Sequence, residues 1–130
     1  MSAFELLRIA NSSLGMHQTW LDALANNIAN VNTVVPTSET AFQTQTPIVR
    51  SVPGGGVEVE SIELGSAEGR MTYQPDHPLA DANGYVRAPD IDMGSQMSQL
   101  IMAQRGFQAS VQVTKNAQDT YNSALQIGRG

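Results

Sequence analysis

The side chains that could bind a metal or act in catalysis are few in this sequence, and they are isolated from one another. The chain has 130 residues, 0 cysteines and 2 histidines, so neither a disulfide nor a thiolate metal site can form. His17 falls within a helical apolar pattern and has no second ligand three or four residues away. His77 lies in an Asp76-His77-Pro78 turn. The spacing therefore predicts one helix-packing histidine and one loop histidine.

Three other motifs that can mark a site are incomplete. Asp90-x-Asp92-x-Gly94 resembles the start of a calcium loop, but the third acidic ligand before the glycine and the distal glutamate are missing. The glycines at 54–56 are not followed by Gly-Lys-Ser/Thr of a phosphate-binding loop. No nucleophile-elbow motif accompanies the serines. We therefore expect no catalytic, cofactor-binding or metal-binding residues, no cofactor, no small-molecule substrate and no enzymatic activity.

The distribution of charge separates the middle of the chain from its ends. The net charge is -5 and no block of Lys or Arg occurs, which argues against a nucleic acid or an anionic membrane as partner. Residues 1–33 carry only Glu5, Arg8 and Asp22, whereas 12 of the 19 charged residues lie between Glu39 and Asp92. Polar positions at both ends are mainly Asn, Gln, Ser and Thr. The ends are therefore expected to be packed, and the middle to face solvent.

The N-terminal segment has the heptad spacing of a long helix that packs on another helix. Ser2 and Glu5 have the spacing of a capping box at its start, and Asn32, Thr33 and Pro36 are expected to end it. Apolar residues recur every seventh position, and a second set, which includes His17, lies three residues further along: Leu7, Leu14, Leu21 and Ile28, then Ala10, His17, Leu24 and Val31.

The C-terminal segment repeats this pattern. Asp90 or Asp92 is expected to cap its start and Gly128 its end. Small residues flank the pattern and allow another backbone to approach closely. The heptad positions are Met93, Leu100, Phe107, Thr114 and Tyr121 with Met97, Val111 and Leu125, and the small residues are Ala103, Ser110, Ala117 and Ala124.

Between these helices the sequence favours strands and turns. A short strand is expected near residues 42–49, a second over 57–62 and a third over 70–74, and Asn83-Gly84 marks a tight turn. The predicted fold is mainly α with a small β insert, in which the long N- and C-terminal helices pair as an antiparallel coiled coil. The predicted division is 1–33 for the N-terminal helix, 34–90 for the β and loop insert, and 91–130 for the C-terminal helix.

Asparagines in the segment ALANNIANVNT, residues 23–33, lower helix propensity and require an explanation. On a helix Asn26 and Asn30 lie opposite the apolar stripe, and Asn32 lies near it. If many subunits pack around these helices, amides supply hydrogen bonds without a buried charge. The alternative is that they are ordinary exposed asparagines. The predicted subunit-interface residues are Leu7, Leu14, Leu21, Leu24, Asn26, Asn27, Ile28, Asn30, Val31, Asn32, Leu100, Phe107, Val111, Tyr121 and Leu125.

Two segments resemble the bacterial flagellar axial proteins, the family of rod, hook and hook-associated proteins. The first, residues 12–33, reads SSLGMHQTWLDALANNIANVNT and resembles the N-terminal signature of that family. The second, residues 77–129, reads HPLADANGYVRAPDIDMGSQMSQLIMAQRGFQASVQVTKNAQDTYNSALQIGR and resembles the C-terminal half of a proximal-rod member. Residues 34–50 read VVPTSETAFQTQTPIVR and depart from the family pattern, so the fold of 34–56 is not carried over.

The resemblance implies a structural subunit of the flagellar proximal rod, which polymerises through its terminal helices into a helical tube that transmits motor torque and encloses the export channel. The implied partners are copies of itself, other rod proteins, and the membrane-ring and export-gate base of the basal body. The implied location is the basal body outside the cytoplasmic membrane, in the periplasm or cell-wall space. Residues 1–20 lack a continuous apolar segment, so export without a cleaved signal peptide is expected.

A different class of function also fits two pairing helices. A helical adaptor or export chaperone that binds one client would fold as a stable soluble coiled coil. Such a protein is expected to have charged outer helix faces, which this sequence lacks.

Overall fold

The computed structural model describes residues 1–130 and is mainly helical with a small antiparallel β region. The chain forms two compact units, which are described separately: residues 1–21, 47–61 and 101–130 form the first, and residues 22–46 and 62–100 form the second. Two long helices and a small β region were predicted, and both are present. In chain order the elements are α1 (Ala3–Ala29), β1 (Gln45–Ser51), β2 (Val57–Leu64), β3 (Arg70–Tyr73), β4 (Tyr85–Ala88) and α2 (Met93–Arg129).

Both helices begin at side-chain caps that were predicted. At α1 the Ser2 N–H donates to Glu5 Oε2 (2.8 Å), and the Glu5 N–H donates to Ser2 Oγ (3.1 Å). The Ser2 N–H, and then its hydroxyl, hold the pKa of Glu5 below its usual range. At α2 the Asp92 Oδ1 accepts from the Gly94 N–H (3.1 Å). Each cap satisfies N–H groups that have no partner within the helix.

Helix α1 ends at Ala29, earlier than the predicted end at Thr33, because Asn30 bonds back onto the last turn. The Asn30 Nδ2 donates to the Asn26 carbonyl (2.9 Å) and to Asn26 Oδ1 (3.1 Å), and the Thr33 hydroxyl donates to Asn30 Oδ1 (3.2 Å). An asparagine side chain that bonds to nearby backbone favours a turn over further helix. At the other helix, the cap predicted at Gly128 is wrong, since α2 continues to Arg129.

Strands β1 and β2 form a hairpin whose tip packs on α1 in the first unit. The glycines at 54–56 have φ values of +90°, +101° and +98°, which side chains rarely adopt. Arg8 donates from Nη2 to the Gly54 carbonyl (3.1 Å) and from Nη1 to the Gly55 carbonyl (3.2 Å). The Val57 N–H donates to Ser12 Oγ (3.1 Å). These contacts attach the hairpin tip to the N-terminal half of α1.

In the second unit, β3 and β4 pair antiparallel with Thr72 opposite Val86, which is fully buried. The predicted turn at Asn83-Gly84 connects to β4, and Gly84 has a φ of +83°. Asp81 holds this turn, because its Oδ1 accepts from the N–H groups of Asn83 and Tyr85 (both 2.9 Å). Its Oδ2 accepts from the Thr37 hydroxyl (3.2 Å). The Tyr85 N–H makes the largest contribution to holding the pKa of Asp81 below its usual range.

We predict that Asp81→Asn lowers the melting temperature at pH 7, because it removes the charge that these donors stabilise. The folded pKa of Asp81 lies below that of an unfolded aspartate, so its stabilising contribution is present above about pH 3.9. It is lost as the pH falls through the folded pKa. The difference between variant and parent should therefore shrink under acid, as followed by circular dichroism. Asp76→Asn, an exposed site in the preceding turn, is the control. A difference that persists unchanged in strong acid would contradict this assignment.

Candidate subunit interface

The contact between α1 and α2 in the first unit depends on one glycine. A Cβ at Gly106 would lie 2.3 Å from His17 Nε2 and 2.5 Å from Cδ2, so a larger residue would have to displace the imidazole. The Ser13 hydroxyl lies 3.0 Å from the Ser110 hydroxyl. Because Ser13 faces Ser110 while His17 faces Gly106, the two helices run in opposite directions here. His17 is therefore a helix-packing residue, as predicted.

A small hydrogen-bond network reinforces this contact. His17 Nδ1 lies 2.8 Å from the Ser13 carbonyl oxygen. Since a carbonyl can only accept, Nδ1 carries a hydrogen and donates it. The Ser110 hydroxyl lies 3.1 Å from the same nitrogen. Ser13, His17 and Ser110 thus form one hydrogen-bonded cluster at the helix contact.

The residues of α2 that the first unit buries are the small ones. Ala103 and Ala117 are 0% and 1% exposed, and Ser110 and Thr114 are also buried. The larger side chains predicted as contacts on α2 are less covered. Leu100, Phe107, Val111 and Tyr121 are half-buried, and Leu125 is 48% exposed. The helix contact in the first unit is therefore lined by short side chains.

The predicted apolar positions of α1 are also covered unequally. Leu24 is buried, with 2% exposure. The others remain half-buried and keep part of their surface free for another chain: Leu7, Leu14, Leu21, Ile28 and Val31. Their assignment to contacts between subunits stays a prediction.

Asn27 acts within its own chain, and this corrects its predicted role between subunits. It is 1% exposed in the second unit. Its Nδ2 donates to the Gln45 carbonyl (2.9 Å) and to Gln96 Oε1 (3.0 Å), while its Oδ1 accepts from the Gln45 N–H (2.8 Å). The amide thus pairs with the first residue of β1 as a neighbouring strand would, and it also holds the first turns of α2. These bonds use both of its donors and leave no exposed surface for a partner.

The other three asparagines have different environments. Asn26 and Asn30 are half-buried and bonded to each other at the end of α1. Asn32 is exposed beyond the helix. The role of Asn30 in ending α1 therefore explains why an asparagine occurs there. The proposed contact with another subunit would use the exposed parts of Asn26, Asn30 and Asn32.

One side of α2 is exposed and uncharged in the first unit. We call it the open α2 face, and it comprises Met102, Ala109, Val113, Thr120 and Ile127. Separations of seven and four residues place them on one side of a helix. Met102 is 55% exposed and Val113 is 49% exposed. No charged residue occurs between Arg105 and Lys115. An apolar, charge-free helix side of this kind is typical of a protein contact.

The structure shows no other arrangement that suggests chemistry. No group of three His, Asp or Glu side chains is close enough to bind a metal ion. His77 lies in a turn, where its Nδ1 accepts from the Leu79 N–H (3.1 Å). Neither helix combines the length and the apolar character needed to cross a bilayer. The helix surfaces therefore remain as the candidate functional site.

We predict that Gly106→Ala lowers the free energy of unfolding by about 1–3 kcal/mol, the usual cost of overpacking a close contact. The added methyl group would overlap the His17 ring. Gly94→Ala is the matched control on the same helix, because its Cβ would meet only Asp92 Oδ1, at an ordinary 3.5 Å. Urea unfolding measures both variants. If Gly106→Ala were as favourable as the Gly94→Ala control, the contact would accommodate the added methyl group at no cost, and the assignment would be wrong.

We predict that Asn27→Ala lowers the free energy of unfolding by about 1–3 kcal/mol, because the Gln45 N–H and carbonyl lose their buried partner. Asn27→Asp should be at least as destabilising. It keeps the acceptor for the N–H but places a carboxylate oxygen against the Gln45 carbonyl. Asn32→Ala, at an exposed position, is the control and should change stability little. If Asn27→Ala and Asn32→Ala unfold alike, the Asn27 hydrogen bonds contribute no stability.

Comparison with known protein families gives two matches that fall on the helices. Residues 7–36 match the family described as "Flagella basal body rod protein". Residues 82–127 match the family described as "Flagellar basal body rod FlgEFG protein C-terminal". The first match covers most of α1 and the second covers β4 and nearly all of α2.

Similar proteins in several bacteria align with the full length of the chain. Those of Salmonella typhimurium and Yersinia enterocolitica are 31% and 34% identical, each over 99% of this chain and 100% of the relative. That of Borreliella burgdorferi is 28% identical over 100% of both chains. All three are named "Flagellar basal-body rod protein FlgC".

Proposed function

Since the chain belongs to the family of the flagellar basal-body rod protein FlgC and is thereby a structural component of the rod, we propose that it polymerises through its terminal helices in the proximal rod. In this proposal the subunits form a helical tube that transmits motor torque and encloses the export channel. No step of that function needs a catalytic residue, and we propose that the protein is not an enzyme.

The observation that supports this proposal is that both terminal helices are only partly buried within a single chain. In the first unit α2 buries only small residues against the rest of the unit, and its open face remains exposed. Proteins that act as single chains rarely expose an apolar helix surface of this extent, so such a surface marks a contact with a partner. Neighbouring rod subunits would supply that cover and bury the apolar area that one chain leaves in water.

The proposed packing within the assembly is an antiparallel coiled coil with additional helices around it. The proposed division remains 1–33, 34–90 and 91–130, in which the terminal segments build the tube and the insert faces outward. The proposed contact residues are the predicted set without Asn27: Leu7, Leu14, Leu21, Leu24, Asn26, Ile28, Asn30, Val31, Asn32, Leu100, Phe107, Val111, Tyr121 and Leu125.

The proposed partners follow from the position of a proximal rod. They are copies of this chain, other rod proteins, and the membrane-ring and export-gate base of the basal body. The proposed location within the basal body lies outside the cytoplasmic membrane, in the periplasm or cell-wall space. The uncharged amide and hydroxyl side chains on the helices suit such contacts, because they form directional bonds without the cost of burying an ion.

We predict that Leu21→Asp prevents rod assembly, because a carboxylate without a partner in a helix contact costs several kcal/mol. Leu21 is half-buried, so part of its side chain is available to a neighbour. Basal bodies purified from cells that carry only the variant should lack rods, and the cells should not swim. Ala25→Asp, on the exposed side of α1, is the charge-matched control.

Circular dichroism of the purified chain separates assembly from folding. A folded Leu21→Asp variant that fails to assemble supports the proposal. Normal rods from a folded Leu21→Asp variant would contradict the assignment of Leu21 to the interface. Absence of the parent chain from purified basal bodies would contradict the proposed function itself.

A further inference from the structure

The tip of the β1–β2 hairpin, residues 52–57, has a shape that its own sequence sets. The Gly55 N–H donates to the Val52 carbonyl (2.9 Å), which closes a four-residue turn. Pro53 and Gly54 occupy the two central positions of this turn. Proline at the first of them and a glycine with a φ of +90° at the second are typical of a type II turn. Local chemistry is therefore sufficient to form the tip.

Arg8 of α1 binds this turn through two of its carbonyl groups. The guanidinium donates from Nη2 to the Gly54 carbonyl (3.1 Å) and from Nη1 to the Gly55 carbonyl (3.2 Å). A guanidinium presents its donors in a rigid planar fork, so it bonds to both carbonyls at once only where the turn holds them side by side. A lysine ammonium has no such fork. Arg8 thus recognises the conformation of the tip.

The backbone of the tip also lies directly on α1. The Val57 N–H donates to Ser12 Oγ (3.1 Å), and the Ser12 hydroxyl donates to the Ile9 carbonyl (2.7 Å). A Cβ at Gly55 would lie 2.8 Å from Ile9 Cδ1, and a Cβ at Gly56 would lie 2.8 Å from Ser12 Oγ. A side chain at either glycine would therefore push the tip away from the helix.

The contact with α2 lies on an adjacent side of α1. Ser13 directly follows Ser12 and is bonded to Ser110 of α2. Successive residues of a helix point about 100° apart, so the tip and α2 contact two different sides of α1. Within residues 1–21 only Ala10 is buried. A contact lined by short side chains removes little apolar area from water, so α2 alone holds this part of α1 weakly.

We propose that the hairpin tip keeps the N-terminal half of α1 ordered and in one orientation, and that Arg8 is the residue that positions it. Contacts on two sides prevent the helix from rotating about its axis and leave a third side exposed, which carries Phe4 and Asn11. The tip thereby determines which side chains of α1 remain open to a partner. This role is a property of the single chain, so it does not depend on the proposed function.

Hydrogen exchange of the purified full-length chain tests the role of Arg8. Arg8→Met removes the guanidinium and preserves helix propensity. We expect the amide of Val57, which is bonded to Ser12, to exchange about tenfold faster in this variant, because partly solvated bonds to a charged donor contribute modestly to local stability. Amides of α1 near Ile9 should also exchange faster. The amide of Val35, which is bonded in the second unit, should keep its rate.

Two further variants separate the geometry of the guanidinium from its charge. Arg8→Lys keeps the positive charge and its attraction to Glu5 but cannot bond to both carbonyls in the same way. Its exchange should resemble that of Arg8→Met more than that of the parent. Arg105→Met, at an exposed position of α2 in the same unit, is the control for the loss of a charge and should exchange as the parent does.

A double-mutant cycle with Gly55→Ala tests whether Arg8 acts through the tip. The added methyl group would overlap Ile9, and the φ of +101° at this position is unfavourable for alanine. Gly55→Ala alone should therefore accelerate exchange at Val57. If Arg8 and the tip form one contact, adding Arg8→Met to this variant should accelerate it little further.

Three results would overturn the inference. Unchanged exchange at Val57 in Arg8→Met would show that Arg8 does not hold the tip. Equal acceleration at Val57 and Val35 would show that Arg8 contributes only to general stability. Full multiplication of the two effects in the double variant would show that Arg8 does not act through the tip. All three are measured on the purified chain and leave the proposed function standing, whereas absence of the parent from purified basal bodies would contradict that function alone.

Discussion

The close approach of α1 and α2 at Gly106 is the constraint on which the rest of the first unit depends. Because the His17 ring lies against a glycine, the helices come close together, and the buried residues of this unit are short: Ala10, Ala103, Ser110, Thr114 and Ala117. Apolar burial stabilises in proportion to the area removed from water, and alanine removes little. The pair is therefore close but not strongly held by its own core. Larger side chains such as Phe107 and Tyr121 flank the contact and remain half in water.

Hydrogen bonds between side chains and backbone compensate for this small core in both units. In the first unit Arg8 and Ser12 attach the tip of the β1–β2 hairpin to α1. In the second unit Asn27 attaches the first residue of β1 to the end of α1 and to the start of α2. Directional bonds of this kind fix where elements sit more strictly than apolar contacts do. A buried amide with all of its partners in place also costs less than a buried charge.

The sequence predicted the features that depend on local chemistry. The heptad spacing gave both helices, the Ser2 and Glu5 pair gave the start of α1, and Asn83-Gly84 gave the turn before β4. These signals lie within a few residues of the feature that they produce, so one sequence is sufficient to read them.

The features that the sequence did not predict depend on residues far apart in the chain. The periodicity selected large residues such as Phe107 for the helix contact, whereas the structure buries the small ones, because the helices approach closely where Gly106 faces His17. Asn27 lies among three other asparagines, and nothing local separates it from them. Its partners at Gln45 and Gln96 become neighbours only after folding. The packing of the glycines at 54–56 on α1 was likewise not predicted, because Ile9 and Ser12 lie far away in the chain.

The last turns of α2 receive little stabilisation from the rest of their own chain. From Asn122 onward every residue of the helix is exposed, including Leu125 and Ile127, so its last turns gain little from tertiary packing. Helices without such packing are marginal in water, and ordering them costs conformational entropy. Neighbouring subunits that cover these turns would repay that entropy in the assembly alone. If neighbouring subunits supply this stability, the last turns of α2 become fully ordered only when the subunit is incorporated into the rod.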